Sequence, residues 1–252
     1  MPAAIELSSR DYQILWYCWQ SRFFSVRQFQ RIFWGGSTTQ AARARIKRLR
    51  DAGLLGCETF PVGRDRMLVF PSLAGNRALI EAGLLSADYA RDFPHRPKDM
   101  TLNLEHDLRV NDIRIAFEET GSIPLSWVSD HQLRQNRGNS GPNTRFADGL
   151  FEWEAQGHRY KGVLEFERMR YNAGRWPDIL SRLRGTYDDC IVFLVVMDAA
   201  RTRSAAAAVK GSKIYSDRPE QFLIADFPSV EAHGLKAGFK DLDGHPFTTV
   251  DK

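Results

Sequence analysis

Three carboxylates close together in this chain, Asp148, Glu165 and Glu167, are of a type and spacing that could do chemistry. They lie in the stretch A-D-G-L-F-E-W-E-A-Q-G-H-R-Y-K-G-V-L-E-F-E-R, residues 147–168, which reads as two strands joined at Gln156-Gly157. A two-residue turn there sets Glu154 opposite Arg159 and Glu152 opposite Lys161, both favourable opposite-charge pairs. The same register sets Asp148 opposite Glu165, and strand alternation puts Glu167 on the face of Glu165. Like charges across a ladder repel. A divalent cation between them is the natural remedy, and hard ions such as Mg²⁺ or Mn²⁺ take oxygen ligands. Asp148, Glu165 and Glu167 are therefore the predicted metal ligands and catalytic residues. The opposite face, with Gly149, Phe151 and Trp153 meeting Leu164, Gly162 and Tyr160, is predicted to face a core. The alternative is that the acids are solvated outer-face residues, which is how Glu152 and Glu154 read.

Charge is unevenly spread along the chain. Residues 1–97 hold 14 Lys/Arg against 8 Asp/Glu, a balance of +6, whereas residues 98–252 hold 21 against 23. Residues 22–50 carry eight basic side chains and no acid. A first helix is predicted from a Ser8 or Ser9 cap, with Ile14, Leu15, Cys18 and Trp19 at helical spacing. Ser25 caps a second, ending at Gly35-Gly36; Thr38 or Thr39 caps a third, running through Ala52 to Gly53. Strand-like pieces at 55–61 and 67–70 flank the basic connection 62–66. Three helices followed by a basic-tipped hairpin is the winged helix-turn-helix order, in which the third helix enters the major groove. Gln40 and Arg43, early in that helix, are placed for base edges. Arg45, Lys47, Arg48, Arg50, Arg64 and Arg66 are placed for phosphates. A merely solvated basic face, or a winged helix used for protein contacts, is the alternative.

The elements positioning the carboxylates follow a linker. Residues 86–100 carry two prolines and few aliphatics. The predicted organisation is a winged-helix domain at 1–85, that linker, and a second domain at 101–252. A closing helix that begins with the segment from Ser72 is expected to run to about Leu85. A long helix follows over about 102–120, then a strand at 125–133 and a polar loop at 135–144. After the hairpin come a helix at 176–187, a buried strand at 190–197, a short Ala-rich helix at 202–210 and a strand at 222–225. This order predicts an α/β (α+β) domain with a mixed sheet. The tail after Asp226 carries no legible chemistry.

Composition excludes several classes. Of 252 residues, 43% are hydrophobic and 12% aromatic, which supports packed cores and excludes a disordered chain. No apolar run is long enough to span a bilayer, and Cys18, Cys57 and Cys190 are scattered in apolar contexts. A cytoplasmic protein with reduced thiols is expected. The six histidines contain no His-x-His pair.

An acid opening one strand, a carboxylate-x-carboxylate on the next, then a helix and a buried strand resembles the restriction-endonuclease-like PD-(D/E)XK nuclease core. Ala147 stands where a proline is common, and Glu167 where the lysine is expected. Over residues 8–200 the chain also resembles the plasmid replication-relaxation (MobC-like) proteins, which include the MOBC-type conjugative relaxases. The resemblance is carried by Leu54-Leu55 after the third helix, the S-L-A-G turn at 72–75, the helix L-E-H-D-L-R-V-N-D-I-R and the hairpin A-D-G-L-F…L-E-F-E-R. It implies an Asp-Glu-Glu metal set of Asp148, Glu165 and Glu167, with Mg²⁺ or Mn²⁺ as cofactor. It further implies a metal-dependent single-strand nick in double-stranded DNA at a plasmid transfer origin, made with a relaxosome accessory or coupling protein as partner. The competing expectations are a non-catalytic relaxosome accessory, or a replication or transcription regulator bound at an operator with a degenerate nuclease fold, and a defence or repair nuclease.

Overall fold

The computed structural model describes residues 5–35, 39–60, 67–91, 104–120, 126–136, 146–155, 157–168 and 176–247. The chain divides into two compact units, Met1–Asn111 and Asp112–Lys252. The expected linker keeps only the short turn Ala87–Arg91 among the described residues, and the division between the units falls within the helix Leu104–Thr120.

In the first unit, α1 (Ser9–Ser21) starts where the Ser8 hydroxyl accepts the Asp11 N–H and the Asp11 carboxylate takes the Ser8 N–H, a reciprocal cap. It buries Ile14, Leu15, Cys18 and Trp19. The short β1 (Phe24–Ser25) leads into α2 (Val26–Trp34), capped the same way by Ser25 and Gln28. α3 (Thr39–Asp51) buries Ala42, Ile46 and Leu49 and stops at Gly53, whose φ of +76° suits a residue without a Cβ. β2 (Leu55–Thr59) and β3 (Met67–Pro71) follow, and the antiparallel sheet has the order β1-β3-β2. α4 (Leu73–Glu81), capped by Ser72, ends earlier than expected because Gly83 takes a φ of +71°. The first turns of α5 (Leu104–Thr120) bury Leu104 and Leu108 beside Phe23 and Leu68. Asn111 donates to the Phe23 carbonyl (2.9 Å), and Gln28 to that of Leu108 (2.8 Å).

The second unit is built on a five-stranded mixed sheet of order β4-β5-β6-β7-β8, as expected for an α/β fold. β4 (Ser126–Ser129), β5 (Gly149–Ala155) and β6 (His158–Glu167) are antiparallel; β7 (Ile191–Val196) and β8 (Phe222–Asp226) continue parallel to β6. The expected strand at 125–133 is a correction. It stops at Ser129, whose hydroxyl accepts the Gln132 N–H and whose own N–H donates to the Gln132 side chain. That reciprocal cap starts α6 (Asp130–Asn136). α7 (Trp176–Thr186) crosses from β6 to β7, α8 (Ala199–Ser212) from β7 to β8, and α9 (Phe227–His233) follows β8.

The sheet has two buried faces. Val163, Val192, Leu194 and Ile224 pack against Leu180 and Leu183 of α7 and Ala205 of α8. The other face is aromatic: Phe117 of α5 lies 5.1 Å from Phe151, and Phe193 lies 5.0 Å from Phe239, centroid to centroid. The ring of Phe151 occupies the space a side chain at position 162 would need, 2.5 Å from where its Cβ would stand, so only glycine serves there.

Candidate functional site

The hairpin has the expected register. Gly149 pairs with Leu164, Glu152 with Lys161, Trp153 with Tyr160 and Glu154 with Arg159, and Gly157 turns the chain at φ +75°. The side-chain ion pairs differ from expectation. Arg159 bonds Glu152 on the diagonal, and Lys161 reaches Asp189 at 3.1 Å.

Asp148 sits one residue before the ladder closes. Its N–H donates to the Leu164 carbonyl (3.0 Å), and its Oδ2 accepts the Phe166 N–H (2.8 Å). The carboxylate thus substitutes for the carbonyl that a longer β5 would have offered. Glu165 and Glu167 occupy the last turns of β6, the central strand, where it is antiparallel to one neighbour and parallel to the other. Glu165 lies beside Leu194 and Glu167 beside Val196. Both are buried, at 4% and 6% exposure, where an isolated charge is costly. Asp148, Glu165 and Glu167 share one sheet face by alternation, the face of Val163 and Leu194.

The donor chemistry suits a hard divalent ion, all three side chains being carboxylates on adjacent strands. Their oxygens are not drawn together, however. Among the described residues, the set whose ligand atoms lie within 4.8 Å of one another is Asp241, Asp243 and His245. That set belongs to a tail segment the sequence reading passed over, although its D-L-D-G-H spacing is visible. Its acids are internally satisfied. Asp241 Oδ1 accepts the N–H groups of Asp243 (2.8 Å) and His245 (2.9 Å), its Oδ2 meets the His245 ring (3.0 Å), and Asp243 bonds Lys210 (2.7 Å). Burial alone would raise the Asp241 carboxyl; those bonds from His245 and Asp243 hold it below the usual range.

In the first unit, α3 turns Gln40, Arg43, Lys47, Arg48 and Arg50 outward, all exposed. They are not equivalent. Asp51 holds Lys47 (2.6 Å) and Arg50 (2.8 Å), and the two hydrogen bonds keep its carboxyl low. Arg43 and Arg48 make no ion pair among the described residues. Arg45 is turned inward, its Nε 2.6 Å from Oδ1 of the fully buried Asp11. Arg64 and Arg66 lie outside the described residues. No helix among the described residues is long and apolar enough to cross a membrane.

No family model matches this sequence, and no curated protein does. Among solved structures the chain is similar to the restriction endonuclease FokI, with 9% identity and a TM-score of 0.33 over 92% of this chain and 46% of that one. The chain thus spans about half the length of that enzyme.

Proposed function

We propose that the chain is a DNA-processing protein in which the N-terminal unit, a winged-helix reader, holds duplex DNA while the C-terminal unit cuts one strand with a divalent metal. The observation that carries this reading is the pair of buried glutamates, Glu165 and Glu167, side by side on the central strand with Asp148 at the adjoining ladder end. Such oxygen donors on one sheet face are the ligands a hard divalent ion takes. Apart from the short α6 inserted after β4, the element order helix, three strands, helix, parallel strand is in keeping with the nuclease core the sequence resembles.

On this reading Asp148, Glu165 and Glu167 hold Mg²⁺ or Mn²⁺. When bound, the ion supplies Lewis acidity toward a phosphodiester oxygen and a more acidic water. Arg43 and Gln40 read base edges, while Arg48, Lys47, Arg50 and the wing residues Arg64 and Arg66 engage phosphates. The resemblance to conjugative relaxases makes a plasmid transfer origin the target, with accessory or coupling proteins as partners.

A second reading is a non-catalytic DNA-binding regulator or relaxosome accessory. What favours it is that the three carboxylates' oxygens are not gathered within 4.8 Å and that position 167 is a glutamate, not a lysine. The test is nicking of a supercoiled plasmid carrying the cognate origin, with Mn²⁺ or with chelator, by the wild type and Glu165→Gln. Metal-dependent nicking lost in the variant supports the nuclease. Intact DNA binding with no nicking in any metal sinks it in favour of the regulator.

A further inference from the structure

The sheet ladder runs out where the two buried glutamates stand. Leu164 is the last residue of β6 paired with β5, and Glu167 is the last paired with β7. Strand ends fray more readily than strand centres. A metal site needs its donors held within about 0.5 Å of the productive geometry. Glu167 therefore needs the end of β6 fastened by something other than the ladder.

Arg201, in the first turn of α8, does this. Its Nη1 donates to the carbonyl of Arg168 (2.6 Å), the residue directly after Glu167. The guanidinium is itself held in place. Asp198 Oδ2 lies 3.0 Å from its Nε, while Oδ1 of the same carboxylate accepts the Arg201 N–H (3.1 Å) and caps α8. Only 26% of the Arg201 side chain is exposed. Ordering so long a side chain costs rotamer entropy. Arg203, two residues on, is left exposed with no hydrogen bond or ion pair among the described residues.

The helical spacing agrees. Arg201, Ala205 and Val209 stand at i, i+4 and i+8, so they share one face of α8. Ala205 and Val209 pack with Val163 and Leu194, on the sheet face that bears the three carboxylates. Arg201 thus lies on the sheet-facing side of its helix, at the end where Glu167 stands beside Val196.

We infer that Arg201 is a positioning residue for Glu167. It ties down the end of β6 through the Arg168 carbonyl, with Asp198 as the anchor of its guanidinium, and so holds the Glu167 carboxylate ready for a divalent ion. The inference rests on the reading of Asp148, Glu165 and Glu167 as metal ligands. Removing an outer contact that orients a ligand costs about 10–100-fold in metal affinity.

The experiment is amide hydrogen exchange of the full chain without metal, followed by calorimetric titration with Mn²⁺. The proteins are the wild type, Arg201→Met, Arg201→Lys, Glu165→Gln and the control Arg203→Met. In Arg201→Met, exchange at Phe166 and Glu167 should quicken about tenfold, the loss of one charge-assisted hydrogen bond, while Val163 and Val192 keep their rates. Mn²⁺ affinity should fall about tenfold or more in the same variant. Arg201→Lys, which keeps a cationic donor, should recover part of both, and Arg203→Met should change neither. Unchanged exchange at Phe166 and Glu167, or exchange that quickens equally at Val163 and Val192, overturns the inference. Local quickening with undiminished Mn²⁺ affinity also overturns it and leaves the metal reading standing. If the wild type shows no Mn²⁺ binding that Glu165→Gln removes, the metal reading falls and the inference falls with it.

Discussion

Arg45 and Asp11 form an ion pair between α3 and α1 in which the carboxylate has no solvent exposure at all. Ser8 adds its hydroxyl to the same carboxylate (2.6 Å), so one acid closes the cap of α1 and fixes the basic helix against it. Burial would raise the Asp11 carboxyl, but the hydrogen bonds from Arg45 and Ser8 outweigh it and hold it below its ordinary 3.8. A depressed carboxyl contributes stability that is fully present above the unfolded value and lost as pH falls through the folded one. The first unit should therefore begin to lose stability below about pH 4. Asp11→Asn should cost about 3 kcal/mol, the low end for a broken buried pair because Arg45 keeps a wet edge. Urea melts of both proteins at pH 7 and pH 3 check this: the difference at pH 7 should shrink at pH 3, and a difference that stays constant would refute the role given to Asp11.

Asp51 bears on DNA binding in the opposite direction. It pairs with Lys47 and Arg50 in the C-terminal half of α3. Asp51→Asn should release both, raising affinity for random duplex and steepening the salt dependence by about 1–2 in log–log slope. Arg48→Ala should weaken binding evenly across sequences, whereas Arg43→Ala should flatten the preference for one site. Anisotropy titrations over several salt concentrations with two duplexes separate these outcomes. A variant at Asp51 that binds no tighter than wild type would show that Lys47 and Arg50 do not face DNA.

Gly162→Ala tests the packing that holds the hairpin register. The added Cβ would fall 2.5 Å from the Phe151 ring, which is itself wedged between Phe117, Trp127 and Phe193. Overpacking of this kind costs about 1–3 kcal/mol. Combining it with Phe151→Leu should cost less than the two changes added, since the smaller side chain vacates the contested space. Simple additivity in chemical melts would remove Phe151 as the reason for glycine.

The parts of this molecule legible in the sequence are those fixed by local rules. The hairpin register followed from Gln156-Gly157 and the alternation around it, because a two-residue turn leaves one way to pair the strands. The caps at Ser8 and Ser25 followed from hydroxyl chemistry at helix starts. What depended on distant neighbours was not legible. Arg45 reads as one more basic side chain, and only the fold brings Asp11, 34 residues earlier, beneath it. The strand after the long helix stops at Ser129, short of the expected Leu133, because the Ser129–Gln132 cap decides the local backbone. The charge pairs of the hairpin were assigned to directly facing residues, yet Arg159 and Lys161 are long enough to choose other acids.

Metal binding at the carboxylates makes a prediction independent of cleavage. An ion that binds only the folded state stabilises it by RT ln(1 + [L]/Kd), about 2.7 kcal/mol at a hundredfold excess over Kd. Mn²⁺ should therefore raise the melting temperature of the wild type. The rise should vanish in Glu165→Gln and in Asp148→Asn, because each removes one of the oxygen charges the ion would balance. Asp241→Asn separates this site from the tail, where Asp241, Asp243 and His245 already satisfy one another. The rise should survive that change. A shift that persists without Glu165 and disappears without Asp241 would move the metal to the tail, and the buried pair on β6 would then stand as a feature of the scaffold.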